Sequence, residues 1–208
     1  MSRVIHIIGN GDSCHLYRVQ ERQGLKLTCN LAPFPVSGVY ATTIVDFKMM
    51  KAIQSGEVQV PGYWIVGMRP KMHMDQQPGF YMKVAKQVKD FYTVLPKYCP
   101  NYTDFNCGHF AAHYAANKFK ADEIHMYGFD SIFDFNLRST SDFILFSDRD
   151  NMNTNRLATN WRPVWRGIFN EFPNTKFVLH HFHNNYKIPV PDNVSTVLYS
   201  KDDMKNLK

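Results

Sequence analysis

Short apolar, β-branched runs alternate along this chain with longer stretches of helical periodicity. The runs Val4 to Ile8, Leu25 to Cys29, Tyr63 to Val66, Glu123 to Tyr127, Lys176 to Leu179 and Thr196 to Tyr199 predict strands. The segments Cys14 to Gln23, Ile44 to Ser55, Gly79 to Leu95, Cys107 to Phe119 and Asn155 to Phe172 predict helices. Parallel neighbours cannot be joined by a tight hairpin, so strands separated by helices imply crossover connections. The expected class is therefore α/β, with a mostly parallel sheet in three layers. No repeat, low-complexity tract or long Gly/Ser linker divides the 208 residues, of which 44% are hydrophobic, so a single domain spanning 1–208 is expected.

Ligands of open parallel sheets bind outside the carboxyl ends of the strands, which makes the residue just past each strand a candidate. The first strand runs into Gly9, Asn10, Gly11, Asp12 and Ser13. Glycines there allow close approach to the main chain, and a helix starting near Ser13 would aim free N–H groups and its dipole at an anion. A tight strand-to-helix turn with Asp12 or Ser13 as N-cap is the plainer alternative. The stretch matches neither the dinucleotide GxGxxG pattern nor the Walker P-loop. Asn30 follows the second strand, where its amide can both donate and accept, or simply shape a turn. Arg69, Lys71 and His73 fall in a predicted loop after the third strand, open to an anionic substrate or to solvent.

Cys107 and Gly108 open a helix rich in Ala111, Ala112, Ala115 and Ala116, where a glycine implies either close packing or ligand approach. Asp130 follows the strand EIHMY and could hold a ribose hydroxyl, steer an acceptor hydroxyl or take its proton, with capping as the alternative role, and Ser131 after it offers a hydroxyl to a phosphate. In the segment TNWRPVWRGIF, Trp161, Arg162, Trp165 and Arg166 offer aromatic and cationic groups at helical spacing. The competing assignment places Trp165, Ile168, Phe169 and Phe172 in a buried stripe.

Composition adds three constraints. The formal charge of +6 favours polyanionic partners, although no long basic block stands out. Cys14, Cys29, Cys99 and Cys107 show no CxxC or Cys/His spacing, so reduced thiols are expected and neither a zinc site nor a disulfide framework follows. No run approaches the roughly 20 apolar residues of a membrane span, and no signal-peptide layout is visible, so a cytoplasmic protein without a membrane span is expected. Oligomeric state leaves no trace in the sequence.

The order of these motifs resembles the bacterial sialyltransferases and their wider relatives, which include short proteins of the archaeal pterin diphosphokinase type. The likeness rests on a first strand ending in G-N-G-x-S, a second ending in C-N, and the pair formed by the Gly-containing small-residue helix and EIHMYGFD. It covers Val4 to Asn30 and Asn106 to Ser131. The resemblance implies a Rossmann-like domain that binds a nucleotide sugar without a metal or other cofactor. It places Gly9, Asn10, Gly11 and Ser13 at the phosphate and donor, Asn30 on the nucleotide, and Cys107 and Gly108 where that family has a Ser-Gly pair. Asp12 stands where the motif usually carries proline.

Those enzymes take their catalytic base from a histidine in the loop before the last long helix, but residues 136–160 contain none. Asp12, Asp130, Asp148 and Asp150 are the carboxylates by type available for that role. Charge building on a departing phosphate needs cations, for which Arg138 is the first candidate, with Arg156, Arg162 and Arg166 behind it. His180, His181 and His183 suggest a metal site, but alternation along a strand would bring only His181 and His183 to one face, without an obvious carboxylate or thiol partner. The expected activity is an inverting, metal-independent glycosyl transfer from a nucleotide sugar to a hydroxyl acceptor. The acceptor would be polyanionic, such as a glycan or modified-base DNA of the phage type. A magnesium-dependent pterin-type diphosphotransferase and a non-catalytic nucleotide- or DNA-binding module are the alternatives.

Overall fold

The computed structural model describes residues 2–20, 22–133, 151–183 and 190–205, side chains excepted at 151–158, 201 and 204. Its strands are β1 (Val4–Ile8), β2 (Leu25–Cys29), β3 (Val39–Ile44), β4 (Trp64–Val66), β5 (Val88–Phe91), β6 (Glu123–Tyr127), β7 (Lys176–His181) and β8 (Val194–Leu198). Its helices are α1 (Phe47–Ser55), α2 (Met68–Gln76), α3 (Pro78–Val84), α4 (Cys107–Asn117), α5 (Asn151–Glu171) and α6 (Lys201–Lys205). Two 3-10 helices, Asp12–Val19 and Asp130–Ile132, follow β1 and β6.

The strands form one sheet in the order β5-β4-β3-β2-β1-β6-β7-β8, and every neighbouring pair is parallel. The chain builds outward from β1 to β5, then returns to lay β6 against the other side of β1. This reversal opens a crevice at the carboxyl ends of β1 and β6, the place where such sheets receive ligands.

Near-continuous apolar strands are expected of a sheet covered on both faces. Ile5, Ile7, Leu27, Ile65, Ile124 and Met126 point into the core shared with α4 and α5. Ile8, Ile44, Trp64, Val66 and Tyr127 point to the opposite face, beneath α1 to α3 and the first 3-10 helix. The alanines of α4 are wholly buried against the sheet, the close packing that their size permits. Trp165, Ile168 and Phe169 form the buried stripe of α5.

Four sequence expectations change. The helix predicted over Gly79 to Leu95 ends as α3 at Val84, and Val88–Phe91 pairs with β4 instead. The stretch Arg69 to His73, expected as a loop, is helical; there Lys71 pairs with Asp75 at 2.6 Å, one turn on, and buried His73 meets Gln54 at 2.6 Å. The helix expected from Cys14 to Gln23 is a 3-10 helix starting at Asp12. Finally, β3 joins the sheet beside β2 through residues 30–38 with no helix between them.

Candidate functional site

The bend after β1 is glycine-rich because two backbones meet there. The Gly9 amide donates to Tyr127 O at 2.7 Å and the Gly11 amide to Gly128 O at 3.0 Å, tying the end of β1 to the end of β6. Gly11 has a φ of −74°, so positive φ is not what demands glycine. A Cβ at Gly9 would lie 2.8 Å from Gly128 O, and one at Gly11 would lie 2.2 Å from the Asp130 Oδ2 atom.

Asp130 occupies the position in which a ligand phosphate is expected. Its Oδ2 accepts from both the Ser13 amide and the Ser13 hydroxyl at 2.9 Å, while the Gly128 amide donates to Ser13 Oγ at 3.1 Å. The start of the first 3-10 helix thus holds an anion that belongs to the protein. This corrects the expectation that the amides of Gly9, Gly11 and Ser13 grip a donor phosphate.

On its other side, Asp130 Oδ1 receives His183 Nε2 at 2.7 Å. A carboxylate only accepts, so Nε2 carries the proton of this contact and Nδ1 is the ring nitrogen turned away from Asp130. The His183 ring stacks on Phe133, and the His183 amide donates to His181 Nδ1 at 3.2 Å. An imidazole held by a buried carboxylate in one tautomer is a proton-accepting arrangement.

Beside the bend lies a cavity of about 190 Å³ in the β1/β6 crevice. Asn30 enters it past β2, Asp46 ahead of α1, Arg69 from the first turn of α2, and Trp161 and Trp165 from α5. Asn106, Cys107 and Gly108 bring the start of α4 to its wall. The first-turn amides of a helix lack partners in its own ladder, so this terminus aims positive potential into the cavity, joined by the Arg69 guanidinium.

The terminus of α4 is firmly fixed. Asn106 Oδ1 accepts from the His109 amide at 3.0 Å, and the Asn106 amide donates back to His109 Nδ1 at 3.2 Å, a capping box with histidine in place of the usual Glu or Gln. His109 Nε2 then donates to Trp161 O at 3.1 Å, which pins α4 to α5. Burial pushes the His109 imidazole down to about 3, so it stays neutral as this donor and acceptor pattern requires. Gly108 leaves room for the Phe129 ring, whose Cε1 would lie 2.5 Å from any Cβ there.

Of the residues singled out by sequence, Gly9, Asn10, Gly11, Asn30, Cys107, Gly108, Asp130 and Ser131 line this cavity together with Arg69, Trp161 and Trp165. The Asn10 side chain spends a donor on Cys29 O at 2.7 Å, and the Cys107 thiol donates to Thr43 O at 2.9 Å. Ser13 is buried behind Asp130, whereas Asp12 is exposed and stands apart from the cavity lining. Arg138, Asp148 and Asp150 lie outside the described residues, as does the side chain of Arg156. Arg162 Nε approaches Ser131 O at 3.4 Å.

Sequence reasoning missed Asp46, which no motif marks, and the part played by His183. His183 stands 53 positions from Asp130, and only the adjacency of β6 and β7 unites them. Among the described residues, no group of three or more His, Cys, Asp or Glu side chains is placed to hold a metal ion. No helix among them is long and apolar enough to cross a membrane. The chain matches no protein-family model, no curated protein and no solved structure.

Proposed function

We propose that the protein transfers a sugar from a nucleotide-sugar donor, bound in the β1/β6 cavity, to a hydroxyl acceptor. The observation that carries this reading is the 2.7 Å contact of His183 with Asp130, a residue that lines the cavity receiving the N-terminus of α4. His183 Nδ1 takes the acceptor's hydroxyl proton while Asp130 fixes the ring. The acceptor oxygen attacks the anomeric carbon, the bond to the phosphate oxygen breaks, and its electron pair leaves with the nucleotide. The configuration of the sugar inverts. Charge gathering on the phosphate is met by the Cys107 and Gly108 amides and by Arg69.

The motif order, which resembles that of the bacterial sialyltransferases, supports the same reading. The formal charge of +6 favours a polyanionic acceptor, such as a glycan or DNA carrying a modified base.

The test incubates the protein with CMP-, UDP- and GDP-sugars in the presence of EDTA. One donor is expected to be hydrolysed slowly. His183→Gln is expected to lose at least about 100-fold of that rate, the usual scale for a general base, with donor affinity within about threefold of wild type. If calorimetry finds that no donor binds, the reading is wrong. Turnover that requires a nucleoside triphosphate and magnesium would instead assign the protein to pterin-type diphosphate transfer, and salt-sensitive DNA binding without nucleotide binding would make it a DNA-binding module.

A further inference from the structure

Two residues that line this cavity each carry a buried polar atom without a hydrogen-bond partner, and the two atoms are of opposite kind. Trp165 lines the cavity at 3% exposure, yet its indole N–H finds no acceptor. The rings around it offer no free acceptor. His109 lies at 4.5 Å with both nitrogens engaged elsewhere, Phe129 at 5.5 Å and Phe169 at 5.8 Å. Trp64, equally buried on the other side of the sheet, shows the ordinary outcome, since its N–H donates to Val60 O at 3.0 Å. A buried unsatisfied donor is a standing cost that water or a ligand would relieve.

Asn30 provides the counterpart. Its backbone is held in the left-handed region at a φ of 54°, with its amide donating to Thr43 O at 2.8 Å. This presents the side chain past the carboxyl end of β2, and its Oδ1 is buried without a donor. In doubly wound folds, the end of the second strand is where a side-chain acceptor meets ribose hydroxyls.

We infer that Trp165 and Asn30 set the specificity of the cavity. The ligand offers a base or sugar acceptor to Trp165 Nε1–H and a hydroxyl or amino hydrogen to Asn30 Oδ1, groups that a ribonucleotide carries apart from its phosphate. This rests on the nucleotide-binding reading above and goes beyond it by naming what distinguishes one ligand from another. Because tryptophan's N–H is unspent in the protein alone, the hydrogen bond that Trp165→Phe removes exists only when ligand is bound.

The experiment is calorimetry of the whole protein against CMP, UMP, AMP, GMP, their 2′-deoxy counterparts and inorganic phosphate, in wild type and Trp165→Phe. The nucleotide that binds most tightly is expected to lose about tenfold in affinity in the variant. The 2′-deoxy form is expected to bind wild type several-fold more weakly, as the loss of a hydroxyl facing Asn30 requires.

Should Trp165→Phe fold poorly, wild type still decides: on adding the nucleotide, the Trp165 indole N–H resonance is expected to move downfield, and inorganic phosphate is expected to leave it in place. Equal affinity of wild type and variant, or an indole resonance unmoved at saturation, would overturn this inference and leave the nucleotide reading standing. If no nucleotide binds wild type, both fall together.

Discussion

At Gly11 a single hydrogen atom separates a compatible residue from an incompatible one. Any Cβ there would lie 2.2 Å from Asp130 Oδ2, and that carboxylate cannot retreat without giving up Ser13 on one side and His183 on the other. Gly11→Ala is expected to destabilise the protein by about 1–3 kcal/mol, the usual cost of overpacking. Urea denaturation would show this as a lowered midpoint at unchanged slope, and a shift under about 0.5 kcal/mol would mean the contact relaxes freely. The glycine-rich bend was legible in the sequence as a special place, but its purpose was not. Glycine next to a future helix reads the same whether a ligand phosphate or the protein's own aspartate is to sit there, and Asp130 lies 117 residues downstream of Ser13.

At the scale of elements, legibility followed the chemistry of burial. β1 and β6 were readable to the residue because apolar letters dominate both runs, interrupted only by His6 in the one and by Glu123 and His125 in the other. β3 was hidden because Thr42 and Thr43 sit in its buried centre, where Thr28 Oγ1 meets Thr42 Oγ1 at 2.8 Å and Thr43 Oγ1 donates to Thr28 O at 3.0 Å. Hydrogen bonds between neighbouring strands let polar residues pass for core, and no hydropathy pattern shows them. β5 was hidden differently: it is a half-exposed edge strand, and its first residue Val88 continues the helical spacing of Val84 in α3.

For α4 the start was readable and its mechanism was not, since His109 rather than an acid completes the capping box. Asn106→Ala removes the acceptor of that box and is expected to cost about 1 kcal/mol in urea denaturation. It is also expected to weaken nucleotide affinity, because the Cys107 and Gly108 amides lose their fixed direction. Stability lost without any change in affinity would show that the terminus of α4 does not face the ligand's phosphate.

Across the whole molecule, side chains distant in sequence are ordered into one hydrogen-bond relay on the sheet face opposite α4. Arg22 Nη2 donates to Tyr199 Oη at 3.3 Å, which donates to His180 Nδ1 at 3.0 Å. His180 Nε2 donates to His125 Nδ1 at 2.9 Å, and His125 Nε2 donates to Glu123 at 2.7 Å. Each ring carries one proton in this chain, because Glu123 can only accept and the guanidinium can only donate. His6 joins beside it, donating from Nε2 to Gln23 O at 2.9 Å and accepting at Nδ1 from Tyr127 Oη at 3.2 Å. Burial lowers His6 to about 4 and His180 to about 3, and it lowers His125 as well.

The sign follows from these directions. Above the unfolded-chain value of about 6.5, neither state binds protons at these rings and stability does not depend on them. As the pH falls below that value the unfolded chain takes up protons that the folded rings refuse, so stability drops until the folded values near 4 and 3 are reached. Each such histidine contributes up to about 1.4 kcal/mol of loss per pH unit in that window. The melting temperature is therefore expected to fall steadily from pH 7 to pH 4. His180→Phe, which removes one proton uptake while keeping a ring between Tyr127 and Tyr199, is expected to flatten the curve by one histidine's share. A melting temperature level from pH 7 to pH 5, or a His180→Phe curve parallel to wild type, would show that the buried rings accept protons without loss and that the relay is not fixed in its neutral form.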